Sequence, residues 1–172
     1  WVSPDTGQLA NGEIDVPSLP THPDVADMLD ALAEFPVTGV ARLFFEFANK
    51  TVSKTYCYIS PSVYTTIFDA LAAKLPPSLV PSCDYEPSQP ITDFEAWWPK
   101  RAVICGVDVY GDAAVDPTTA KGLRVRACWQ HAKDRGRPRV CFESGDVSGD
   151  IFDGATRIPL FWGPLLKLLD EF

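Results

Sequence analysis

Residues 123–143 read Leu123–Gln130 (LRVRACWQ), His131–Gly136 (HAKDRG) and Arg137–Glu143 (RPRVCFE). Apolar and polar side chains alternate through the first run, and the third run alternates in the same way. A period of two marks a half-buried strand, so the stretch predicts a β-hairpin closed by the loop at 131–136. Pairing residue 130 with 137 sets 128 opposite 139, 126 opposite 141 and 124 opposite 143. In that register Arg124, Arg126, Arg137 and Arg139 share one face with Cys128, Cys141 and Glu143. The other face carries Leu123, Val125, Ala127, Trp129, Val140 and Phe142. A slip of one residue on either strand would split the arginine patch.

Working outward, Ala102–Tyr110 is rich in valine and reads as a further strand. Val40–Ala48 and Val52–Ile59 flank a short turn at Asn49-Lys50 and read as a second hairpin. Three segments carry helical spacing instead. Pro23–Phe35 places proline at a helix start and repeats Val25, Met28, Leu29 and Leu32 on one stripe. Pro61–Leu75 repeats Val63, Ile67, Leu71 and Leu75 behind a capping Ser60. From Pro164 onward Leu165, Leu168, Leu169 and Phe172 recur. The order predicts an α+β protein: a single antiparallel sheet of about five strands with three helices packed on it. A jelly-roll-like β sandwich with inserted helices is the alternative, favoured by the prolines and aromatics.

The 172 residues suit one ordinary domain, with 46% hydrophobic and 22% charged residues. Sixteen prolines concentrate in two stretches. Residues 1–22 read as an extended amino-terminal arm. Residues 23–172 read as one globular domain, interrupted by a long proline-rich loop at 76–99. The chain starts at Trp1, and Met28 is its only methionine. This pattern is expected of a chain cut from a larger precursor such as a viral polyprotein. No run approaches the roughly 18 apolar residues of a spanning helix, and no membrane partner is expected.

The net charge is −8 and unevenly spread. Residues 1–99 hold four basic and thirteen acidic groups, whereas 100–139 hold nine basic and four acidic ones. An acidic whole disfavours non-specific binding to nucleic acid or anionic membrane, but the basic segment has the means to meet an acidic surface on another copy. Arginine forks suit phosphate and carboxylate, so Arg124, Arg126, Arg137 and Arg139 are candidate anion or partner contacts. Trp97-Trp98-Pro99-Lys100-Arg101 adds aromatics beside cations. Such a cluster stacks bases or, more in keeping with the acidic total, anchors a loop or a subunit contact.

Signals for catalysis are sparse. Only His22 and His131 are available as imidazoles, with Cys128 and Cys141 the nearest thiols to His131 in sequence. A cysteine–histidine hydrolase or transferase is a third reading. Cys57, Cys83, Cys105, Cys128 and Cys141 include no CxxC pair, so no cofactor or zinc site is expected. Their odd number and apolar neighbours suit buried free thiols and lean towards a reducing intracellular compartment. Asp146, Asp150 and Asp153 lie in a glycine-rich loop without EF-hand spacing. The reading that fits most of these features is a non-catalytic structural or protein-interaction module that contacts other protein chains, largely by self-association. An anion-binding or nucleic-acid-binding module is the alternative.

Overall fold

The computed structural model describes residues 22–34, 38–43, 60–85, 87, 93–145 and 158–172. In chain order these form α1 (Pro23–Glu34), β1 (Gly39–Arg42), α2 (Pro61–Ala72), β2 (Leu79–Tyr85), β3 (Ile104–Tyr110), α3 (Asp112–Val115), α4 (Ala120–Asp134), β4 (Arg139–Gly145), a π-helical turn (Ile158–Trp162) and α5 (Gly163–Glu171). Among the described residues the four strands make one sheet in the order β1-β2-β3-β4. Every neighbouring pair is parallel. The fold is therefore mixed α/β. The expected antiparallel five-stranded sheet is not formed, and neither is the jelly-roll alternative.

The decisive correction falls on residues 120–134. They are a helix, so the predicted hairpin of 123–130 with 137–143 does not exist. Thr119 caps the helix, its hydroxyl accepting from the Gly122 N–H at 3.0 Å. Val125, Cys128, Trp129 and Ala132 are its buried stripe, at helical spacing. The helix stops at Gly136, whose φ of 62° is left-handed. The Gly136 N–H bonds to the Lys133 carbonyl and the Arg137 N–H to the Ala132 carbonyl, both at 2.9 Å. That pair of bonds is a Schellman stop. The helix between them supplies the crossover that the parallel pairing of β3 and β4 requires.

A second correction falls on the proline-rich stretch. The segment expected as a loop at 76–99 contains β2, an interior strand of the sheet. Pro81 sits within it opposite Ala41, and its carbonyl still accepts from the Val103 N–H at 3.0 Å. The expected helices are present, with α1 and α2 starting at the predicted prolines. Most of the expected hairpin at 40–59 lies outside the described residues, as do the arm over 1–21, Cys57 and the acidic loop at 146–153. Among the described residues no helix is long and apolar enough to cross a membrane.

The register sorts side chains to two faces. Cys83 pairs with Cys105 and Tyr85 with Val107, so these four stand on one face. Helices cover that face: Cys128 of α4 touches Cys105, and Tyr64 of α2 and Tyr85 both reach Trp97. The core there includes fully buried Tyr64, Ile67, Phe68, Leu71, Val107, Val109 and Val125, with Trp129 1% exposed. Each such aliphatic or aromatic side chain contributes about 1.5–3 kcal/mol by leaving water. The opposite face carries Arg42, Ser82, Asp84, Gly106, Asp108, Val140 and Phe142.

Candidate functional site

Among the described residues, three of the six exposed large hydrophobic side chains, Leu160, Leu166 and Leu169, lie in the carboxyl-terminal segment. Pro164 at the helix start sets the entry into α5, which buries Leu165 and Leu168. Preceding it, Phe161 is fully buried and edge-on to Trp162 at 4.8 Å between ring centroids. The end of α5 is held on α4 and β4. Arg126 Nε lies 3.3 Å from the Glu171 carboxylate, Trp129 packs 6.0 Å from the Phe172 ring, and Lys133 Nζ lies 5.7 Å from that ring's centre. Arg139 donates from Nη2 to the Phe172 main-chain oxygen. A cavity of about 70 Å³ opens between Trp129, Arg139, Leu169 and Phe172.

Leu166 is 64% exposed and Leu169 41%, one helical turn apart on the outward side of α5. Leu160, in the π-helical turn before it, is 49% exposed. A helix that is apolar only on its core side needs no partner. Here two leucines share the outward side with exposed Lys167, Asp170 and Glu171, an apolar pair rimmed by charge of the kind a second surface can cover.

A buried ionic centre lies on the polar face of the sheet. Arg42 ends β1, and its guanidinium meets both Asp84 of β2 and Asp108 of β3. The contact to Asp108 Oδ2 is 2.6 Å. Both carboxylates are 1% exposed, and the guanidinium also stands over the Phe142 ring at 5.3 Å. The three charged groups sit towards the carboxyl ends of parallel strands, where open α/β sheets commonly bind ligands. Such sites form where the strand order reverses. The order β1-β2-β3-β4 has no reversal among the described strands. The centre instead ties three strands together across the sheet.

The arginines predicted as one patch are dispersed. Arg124 and Arg126 lie two positions apart on α4, which turns them to different sides. Arg124 Nε donates to the Pro87 carbonyl at 2.6 Å. Arg126 donates from both terminal nitrogens to the Val115 carbonyl at 3.3 Å, besides its bond to Glu171. Arg137 follows the Schellman turn, and Arg139 lies in β4 beside Phe172. Arg126 and Arg139 thus each reach the end of α5, through Glu171 and Phe172, engaged with their own chain. Docking of a basic hairpin onto an acidic neighbour has no hairpin to work from.

The Trp97–Arg101 stretch pins a connection to the core. Trp97 is 6% exposed, and the Asp69 carboxylate of α2 accepts from the Lys100 and Arg101 main-chain N–H groups at 3.3 and 2.9 Å. Lys100 and Arg101 themselves are exposed. Trp98 stacks edge-on to His131 at 5.4 Å, with Phe94 on that ring at 5.8 Å. Arg135 completes the clasp. It pairs with Glu95, lies over the Trp98 ring at 5.3 Å and donates to His131 Nδ1 at 3.2 Å. Burial lowers the His131 pKa, against the opposing pull of Asp134 and Asp93. With Nδ1 accepting from the guanidinium, the ring proton falls on Nε2, which lies 3.9 Å from the Glu95 carboxylate.

Cys83, Cys105 and Cys128 are poor nucleophiles while the core is closed, and Cys141 is half-buried. Burial raises the pKa of Cys83, Cys105 and Cys128, so the reactive thiolate is suppressed in each. His131 faces the clasp of Phe94, Trp98 and Arg135, which leaves the cysteine–histidine reading without geometric support. Among the described residues no three histidine, cysteine or carboxylate side chains are placed to hold a metal ion. Composition gave no signal for the α5 face, because Leu166 and Leu169 are separable from Leu165 and Leu168 only once the helix is docked. No protein-family model and no curated protein matches the chain.

Proposed function

We propose that the chain is a non-catalytic protein-interaction module that contacts other protein chains, further copies of itself foremost, through the outward face of α5. The observation that carries this reading is the exposure of Leu166 and Leu169 on a helix whose other side is already buried. The cavity beside Leu169 gives that face a recess for an apolar side chain, and aromatic walls such as Trp129 and Phe172 are typical of interface centres. The dispersal of the arginines, and the burial of Cys83, Cys105 and Cys128 away from any imidazole partner shown, support an apolar contact over anion binding or cysteine–histidine catalysis.

The test is light scattering after size-exclusion chromatography, over a range of loading concentrations, with absorbance recorded at 260 and 280 nm. Self-association gives a mass above 18.9 kDa that rises with concentration. The Leu166→Asp/Leu169→Asp variant, altered only at exposed positions, is expected to fold and to return the mass to that of a monomer. A wild-type chain that stays monomeric at every concentration overturns self-association. Excess absorbance at 260 nm would bring the nucleic-acid reading forward.

A further inference from the structure

Cys105 of β3 and Cys128 of α4 hold their sulfurs 3.5 Å apart, although 23 positions separate them in sequence. Cys105 is fully buried and Cys128 is 2% exposed. One sulfur rides on the sheet and the other on the helix that covers it. Closure to a bond of about 2.05 Å needs an approach of about 1.5 Å. Cys83 also lies next to Cys105, but the two are register partners in hydrogen-bonded strands. Their backbones are held at ladder spacing, and the Cys83 thiol already donates to the Ile104 carbonyl at 3.5 Å.

We propose that Cys105 and Cys128 form a redox-active pair that closes to a disulfide when a small-molecule disulfide supplies the oxidising power. The thiolate of one cysteine attacks the small disulfide, forming a mixed disulfide and releasing one small thiol. The second cysteine then attacks the protein sulfur of that mixed disulfide and releases the other. Two electrons pass from the cysteine pair to the small disulfide, and the two cysteine protons end on the two thiols released. Because both sulfurs are shielded, the first attack proceeds only when α4 opens from the sheet. The bond once made prevents that opening.

The consequence reaches beyond the helix itself. α4 carries Arg126 and Trp129, which hold Glu171 and Phe172 at the end of α5. Oxidation therefore fastens the platform on which the proposed interaction face is mounted. The pair is independent of that reading: it closes or fails to close whether or not the chain self-associates.

The experiment uses the full chain incubated with oxidised or reduced glutathione, quenched in acid and digested without reduction. Mass spectrometry is expected to find the Cys105 and Cys128 peptides linked, with a loss of two hydrogens. The unfolding temperature should rise by roughly 5–10 °C and fall back on adding dithiothreitol. Cys128→Ala should abolish both the link and the rise. If that variant does not fold, the wild-type peptide map alone decides. Thiols at 105 and 128 that remain alkylatable after oxidation and denaturation overturn the proposal. So does a link from Cys105 to Cys83 or Cys141.

Discussion

The guanidinium of Arg42 and the carboxylate of Asp108 meet at 2.6 Å across the width of the sheet, from β1 to β3, with β2 between them. Asp84 of the intervening strand meets the same nitrogen. Removing the cation leaves two carboxylates buried without it, and breaking a buried ion pair from one side costs about 3–5 kcal/mol. Arg42→Met is expected to lower the urea midpoint accordingly, and adding Asp108→Asn should recover part of the loss. A single-variant cost below about 1 kcal/mol would show that the centre is solvated in solution.

Gly106 lies where the sheet admits no side chain. A methyl group there would run into the Phe142 ring and come within 3.0 Å of Asp84 Oδ1. Gly106→Ala is expected to destabilise by about 1–3 kcal/mol through overpacking. Thermal or chemical melts measure it, and a neutral result would mean that Phe142 has an alternative seat.

Thr119 is a cap whose worth is separable from packing. Its hydroxyl accepts from Gly122 and donates to the Ala113 carbonyl, tying α4 to α3. Thr119→Ala should cost about 1 kcal/mol, whereas Thr119→Ser should cost less than half of that. Equal losses for the two variants would assign the effect to the methyl group.

His131 gives stability a pH dependence of known sign. Its folded pKa lies below the ordinary value because burial disfavours the imidazolium. The unfolded chain therefore binds the proton first as the pH falls. The contribution is complete above about 6.5 and declines as the pH drops from there towards the lower folded value. Melting temperatures between pH 7.5 and 5.5 should fall more steeply for the wild type than for His131→Asn. Parallel curves would show that the clasp of Phe94, Trp98 and Arg135 is open in solution.

How much of this was legible in the sequence depends on which signal was strongest locally. Pro23 and Pro61 mark true helix starts, because proline at the first turn has a single physical meaning there. The alternation of Leu123, Val125, Ala127 and Trp129 with arginines was misleading. It fits a strand over eight residues, and the helical stripe is plain only when Val125, Cys128, Trp129 and Ala132 are read together. The low hydrophobicity of that helix follows from its arginines, which serve carbonyls and Glu171. Pro81 hid β2, since proline is usually excluded from interior strands. The ionic centre was illegible because Arg42, Asp84 and Asp108 meet only through the parallel register, which depends on the helical crossovers. The leucines of α5 were visible as a run, but which of them face outward is decided by docking.

The unbroken strand order has a bearing on how the molecule is made. Each strand of the sheet pairs with the one before it in the chain, at separations of 40, 22 and 34 residues for Gly39 with Leu79, Ser82 with Ile104 and Cys105 with Arg139. Among the described residues no pairing leaps over an intervening strand. As the chain leaves the ribosome, each new strand reaches a neighbour that has already been synthesised, so the sheet is able to assemble in the order of translation.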